Sequence, residues 1–160
     1  MAYAQVATPG TTFTDGTGLL VVPGDRPAKV LKIESLGGRS AMTFLGAKLA
    51  GPHREFTTNT SWPTWPPNIA GDPLQEAEGA TIEPVSRTFN KNGYELLLGY
   101  RIDHAKYAVR RGVRVTYRIG DRTYRAVLPL VFATCPPGRD LDSCQEEATT
   151  VMQSVLPRDG

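Results

Sequence analysis

The sequence predicts an all-β chain: a two-sheet sandwich followed by a short C-terminal α-helix. Three observations carry that expectation. Apolar residues recur with period two through consecutive stretches between Tyr94 and Phe132. Glycine and proline, 16 and 13 of 160 residues, supply turns at the spacing that short strands need. Only after Cys135 does the apolar period lengthen to that of a helix. The length suits one domain, able to bury about two-thirds of its unfolded surface. A hydrophobic fraction of 40% and a charged fraction of 21% exclude a disordered or collagen-like chain. No apolar run approaches the roughly 18 residues of a membrane-spanning helix. A net charge of +2 gives no whole-chain field calling for nucleic acid, and no nucleic-acid partner is expected.

Taken in order, residues 1–10 read as an N-terminal extension or tether remnant, 11–134 as the sandwich and 135–160 as a tail. Asp15-Gly16-Thr17-Gly18 contains a lone G-x-G. It lacks a third glycine and a following helix, so it reads as a β-turn rather than a phosphate cradle. Leu19 to Val22 is a short apolar run. The turn Pro23-Gly24-Asp25-Arg26-Pro27 leads into a strand over Ala28 to Leu36. Gly37-Gly38 precedes another over Ala41 to Leu49, and Glu83 to Phe89 is a further candidate. In Tyr94 to Asp103 the even positions are all apolar and the odd positions mixed.

The two later strands pair by arithmetic. Gly120-Asp121 suits a two-residue hairpin turn, because glycine accepts the positive φ of a primed turn. That turn sets Ile119 opposite Arg122, Tyr117 opposite Tyr124, Val115 opposite Ala126 and Val113 opposite Leu128. On the other face Thr116 meets Arg125 and Arg118 meets Thr123. A slip of one residue destroys the match, so pattern and turn select one register. Pro129 lacks a ladder donor, which predicts an edge strand or a break there.

In the tail, Ser143-x-x-Glu146 resembles a capping box. Ala148, Val151, Met152, Val155 and Leu156 recur at helical spacing, and Pro157 stops the pattern. A helix of about three turns is expected, resting on its own domain or on a partner. Cys135 and Cys144 are the two cysteines, with eight turn-rich residues between them. Either they form a disulfide, which would stabilise the fold by about 2.5–3 kcal/mol and persist in an oxidising compartment, or they are two inert thiols. His53 and His104 lie too far apart in sequence for zinc-ligand spacing, and no metal or cofactor is expected. The first residues carry neither a basic nor an apolar signal region. The cysteine pair favours an exported chain whose signal is not in this sequence.

Enzyme signatures are missing. There is no G-x-S-x-G elbow, and the carboxylate pairs Glu76/Glu78 and Asp140/Asp142 fall in expected loops, without the burial that acid–base catalysis requires. Two surfaces are candidates for binding. Trp62 and Trp65 sit in a stiff Ser61-Trp62-Pro63-Thr64-Trp65-Pro66-Pro67 segment. They either present flat platforms, as carbohydrate-binding modules do, or fold back to plug an end of the sandwich. Between Arg101 and Arg125 there are eight Lys/Arg against Asp103 and Asp121. Arg114, Arg118 and Arg125 fall on one face, with Arg101 beside them if its strand pairs next in line. Such a face either holds an acidic partner or is a solvated face that discourages aggregation. Glu76, Glu78, Glu83 and Glu95 are its candidate internal counterions.

Gly24-Asp25-Arg26-Pro27, the run Tyr94-Glu95-Leu96-Leu97-Leu98-Gly99-Tyr100, the hairpin from Gly112 to Ala126, and Cys135 after the last strand together resemble a group of actinobacterial extracytoplasmic proteins carrying a single immunoglobulin-like domain. The resemblance covers residues 11 to 144. It implies an immunoglobulin-like β-sandwich outside the cytoplasm. Members are often tethered by an N-terminal membrane segment, which residues 1–10 do not supply. It implies no catalytic residue and no ligand. The expectation is therefore a non-catalytic, secreted or surface-tethered module that contacts another protein or a cell-envelope component. The alternative is a carbohydrate-binding module.

Overall fold

A computed structural model describes residues 2–52, 60–69, 73–88 and 93–156. The strands are β1 (Ala2–Val6), β2 (Thr12–Leu20), β3 (Ala28–Gly37), β4 (Met42–Ala50), β5 (Thr60–Trp62), β6 (Gln75–Glu76), β7 (Thr81–Ile82), β8 (Tyr94–Ile102), β9 (Ala108–Ile119), β10 (Arg122–Leu128) and β11 (Val131–Cys135). One helix, α1 (Leu141–Val155), follows. They assort into two sheets. The β9 sheet runs β1-β11-β9-β3-β7, with β10 also paired to β9, and the β8 sheet runs β5-β2-β8-β4-β6.

The alternation explains the layering. Leu96, Leu98, Tyr100 and Ile102 of β8 face Val113, Val115 and Phe132 of the other sheet in one core, joined by Val30, Ile33 and Leu49. The odd positions Leu97 and Gly99 are buried as well, because β8 is the central strand and its outer face is covered. Only Arg101 of that strand is exposed.

The hairpin β9–β10 has the register the turn arithmetic requires, from Ile119 against Arg122 to Val113 against Leu128. Gly120 supplies its positive φ of 62°. Pro129 breaks the following run: β10 ends at Leu128, and β11 resumes against the other end of β9, Phe132 opposite Arg110.

Several elements differ from the sequence expectation. Residues 2–6 are not an extension. They form β1, parallel to β11, and hydrogen-bonding continues through Ala7 N–H to the Cys135 carbonyl, 2.7 Å. Asp15 to Gly18 is not a turn but an irregularity inside β2, where the pairing with β8 shifts register. Thr17 N–H and hydroxyl both donate to the Asp15 carboxylate, at 3.0 and 2.7 Å, which fixes the bulge. Val85–Arg87 is a 3-10 turn where a strand was expected, and Phe89 lies outside the described residues. Pro84, just before that turn, has no N–H to give a ladder.

Helix α1 starts earlier than the Ser143 box implied. Asp140 is the N-cap, and its carboxylate accepts from the Ser143 N–H at 3.0 Å. Pro157 lies outside the described residues. Cys135 and Cys144 form a disulfide that ties the first turn of α1 to the end of β11. The apolar stripe rests on its own domain, with Ala148, Val151 and Met152 against Ala2, Ala4, Val131 and Ala133.

Candidate functional site

The strongest charge cluster is internal. Arg110 on β9 and Asp15 on β2 pair at 2.5 Å across the sandwich, both side chains fully buried. Arg110 also donates to the Leu130 carbonyl at 2.9 Å and the Tyr100 hydroxyl at 3.1 Å, and its guanidinium lies 5.3 Å from the Tyr100 ring centre. Burial by itself raises the Asp15 carboxyl pKa. The adjacent Arg110 charge and the hydrogen bonds from Thr17 and Arg110 outweigh it and hold the carboxyl below its usual range. With every charge partnered and no exposed atom, this pair pins the sheets together and offers nothing to a ligand. Sequence reasoning missed it. The alternation that runs inward through Val113 and Val115 points Arg110 outward, and the register shift against β3 between Leu36 and Gly37 is what turns it into the core.

The exposed chemistry lies on the hairpin. Arg114 and Arg118 on β9 and Arg125 on β10 share the outer face of the β9 sheet. Pairing of β3 adds Lys29 beside Arg118 and Lys32 beside Thr116. A register shift at Leu31 keeps both lysines outward while Val30 and Ile33 enter the core. Within this row Glu34 is the acidic member. It accepts from Lys32 at 3.0 Å and lies 3.8 Å from Arg114. The hydrogen bond from Lys32, with the charges of Lys32, Arg114 and Arg125, holds the Glu34 carboxyl below its usual range. One field therefore spans three strands.

Arg101 does not join this row. Its strand belongs to the opposite sheet, because the chain crosses over between β8 and β9 instead of pairing next in line. There Arg101 binds Asp103 at 2.8 Å. Of the expected counterions, Glu76 and Glu95 belong to the other sheet, and Glu78 reaches the edge of β3. Glu76 pairs with Lys48 on β4, Glu78 accepts from the Ile33 N–H at 2.9 Å, and Glu95 is buried on β8.

Behind the basic row, the inward face of the hairpin is open at its edge. Tyr117 and Tyr124 stack with ring centres 5.5 Å apart, and Tyr124 remains 40% exposed. Ala126 and Leu128 continue this apolar line. Across a groove of about 380 Å³ stand Leu19 and Val21, which are themselves exposed. β5 reaches only Thr14 to Gly16 of β2, so among the described residues it leaves this end of β2 uncovered.

The two tryptophans separate. Trp65 lies flat on Gly99 at the outer face of the β8 sheet, where a Cβ on residue 99 would collide with the indole. The segment is held by the Thr14 hydroxyl donating to the Thr64 carbonyl, 2.5 Å. Trp65 thus seals a sheet face, not an end of the sandwich. Trp62, half-buried on β5, borders a separate groove of about 330 Å³ with Thr8, Thr11, Thr12 and Ser61.

Among the described residues no group of three or more His, Cys, Asp or Glu is arranged to hold a metal ion, and no helix is long and apolar enough to cross a membrane. The Cys135–Cys144 disulfide fits an oxidising environment. No known protein family, curated protein or solved structure matches the chain.

Proposed function

We propose that this chain is an extracytoplasmic, immunoglobulin-like module that works by contact, holding an acidic surface of another protein on the outer face of the β9 sheet. The observation that carries the reading is the row Lys29, Lys32, Arg114, Arg118 and Arg125, opposed by Glu34. Exposed charges of one sign gain little within the molecule, yet they steer and orient a partner of opposite sign.

Topology supports the immunoglobulin-like part. Neighbours β2, β8 and β4 correspond to strands B, E and D, and β11, β9 and β3 to G, F and C. In antibody domains a disulfide joins strands B and F across the core. Here the Asp15–Arg110 ion pair joins β2 to β9 in that role. The cysteines instead staple the tail, and this bond supports the extracytoplasmic placement.

The test is affinity capture from native envelope and secreted fractions with the unaltered chain and with the double variant Arg114→Glu, Arg118→Glu, each identified by mass spectrometry. An acidic partner retained at low salt should be lost at least about tenfold in the variant, with unchanged melting temperature. Equal retention by both removes the reading.

A second reading rests on Trp62, whose indole borders a groove rich in hydroxyls, the surroundings a sugar ring uses. A saturable fluorescence change with soluble cell-wall glycan, lost in Trp62→Ala, would favour it. Titrations without any change would remove it.

A further inference from the structure

We propose that the hairpin takes its partner by strand addition: an extended segment of another protein, alternating acidic and apolar residues, pairs with the free edge of β10. This rests on the binding reading above and specifies its ligand.

The sheet borders are unequal. β5, β6 and β7 have three, two and two residues, too short to template a partner. Beyond them β2, β3 and β4 keep unpaired stretches among the described residues, but the groove beside β3 and β4 is lined by Lys32, Glu34 and Arg39, not by an apolar line. β1 is covered by Gln145, which bonds both Ala4 N–H and the Ala2 carbonyl at 2.8 Å. β10 has seven residues and, among the described residues, pairs with β9 alone. In an antiparallel ladder closed by a two-residue turn, hydrogen-bonded pairs alternate from the turn outward. The Ile119–Arg122, Tyr117–Tyr124, Val115–Ala126 and Val113–Leu128 pairs are the bonded ones. Thr123, Arg125 and Val127 therefore aim their N–H and C=O groups away from β9.

An added strand would alternate its side chains between two different surroundings. Those on the inner side meet Tyr124, Ala126 and Leu128 and enter the groove facing Leu19 and Val21. Those on the outer side lie beside Arg125, in the field of Arg114 and Arg118. Apolar inward and acidic outward is the complementary pattern. A second copy of this chain is a poor occupant, because the symmetric antiparallel register centred on β10 sets Arg125 directly opposite Arg125 of the partner.

The probe is a blocked seven-residue peptide alternating glutamate and valine, used with isotope-labelled protein. One control has the same composition with all glutamates before all valines. A second is the alternating peptide N-methylated on the amides of one edge, tested with both choices of edge. With the alternating peptide, amide exchange at Thr123, Arg125 and Val127 should slow at least about tenfold, and Arg125→Glu should weaken binding by a similar factor. The block control and at least one N-methylated peptide should bind at least about tenfold more weakly. The variant Val127→Pro, which deletes an outward N–H, should also weaken binding while its melting temperature reports folding. If that variant fails to fold, the N-methylated peptides decide.

Equal binding of all peptides, with shifts confined to the outer face, would overturn strand addition and leave the charge reading intact. Protection of the β10 edge by self-association at high protein concentration, or no peptide binding at all, would also overturn it. The charge-reversal capture then judges the wider reading separately.

Discussion

Along one side of the β9 sheet, β1 and β10 form two successive borders that end the layer differently. At β1 the side chain of Gln145 stands where a further strand would, one donor and one acceptor matched to Ala4 and Ala2. That glutamine is held in place by α1, and α1 by the disulfide at its first turn. At β10 no described element covers the edge, which carries Arg122 and Arg125. One border is sealed by shape, and the other is kept single by charge. A shape seal opens only if its helix moves. A charge guard is neutralised by any ligand of opposite sign, so the second border is the one suited to exchange.

The largest expected effect comes from β9, against which both β10 and β11 pair. Arg110→Ala strands a buried Asp15 and should cost about 3–5 kcal/mol by chemical denaturation, loosening both borders together. Because Arg110 and Thr17 depress the folded Asp15 pKa below its unfolded value, this stabilisation is full above the unfolded carboxyl range, near pH 4. It declines as pH falls through the folded value. Acid titration of stability should therefore lose part of its slope below pH ~4 in Asp15→Asn.

Next in size, replacing both cysteines by serine should cost about 2–4 kcal/mol and make the β1 border behave like the β10 border in amide exchange. Unchanged exchange at Ala4 in that variant would show that α1 holds its place without the bond. Gln145→Ala breaks the same seal more locally. It should cost about 1–2 kcal/mol, with Ala4 exchanging faster and Arg125 unaffected. Asp140→Ala removes the helix cap and should cost about 1 kcal/mol, read as a lower melting temperature. Arg125→Glu, at the unsealed border, should move stability by no more than about 0.5 kcal/mol. A large loss there would mean that the β10 edge already has an intramolecular role.

What was legible in the sequence is what short-range rules decide. The hairpin register followed from Gly120-Asp121 and the alternation on either side, and the break after β10 from the missing donor of Pro129. The basic row Arg114, Arg118 and Arg125 followed from the same register. The staple of Cys135 to Cys144 needed only a turn-rich stretch that brings the thiols together. In each case partners lie close along the chain, so local geometry fixes their meeting.

Other outcomes depended on residues far apart in sequence. Arg101 left the basic row because the chain changed sheets after β8, a choice set by which core each strand completes. Trp65 found its seat because the backbone at Gly99, on another strand, has no side chain to exclude it. Residues 2–6 carry too short an alternation to announce a strand, and only the parallel edge of β11 and the cover of α1 make them one. Arg110 looked like one more surface charge until Asp15, 95 positions away, met it in the core. The sequence by itself determined the local units, because period and turn chemistry act over a few residues. The tertiary structure alone decided which sheet each unit joined, which faces were covered and which edge stayed open, because burial and long-range pairing are properties of the assembled layers.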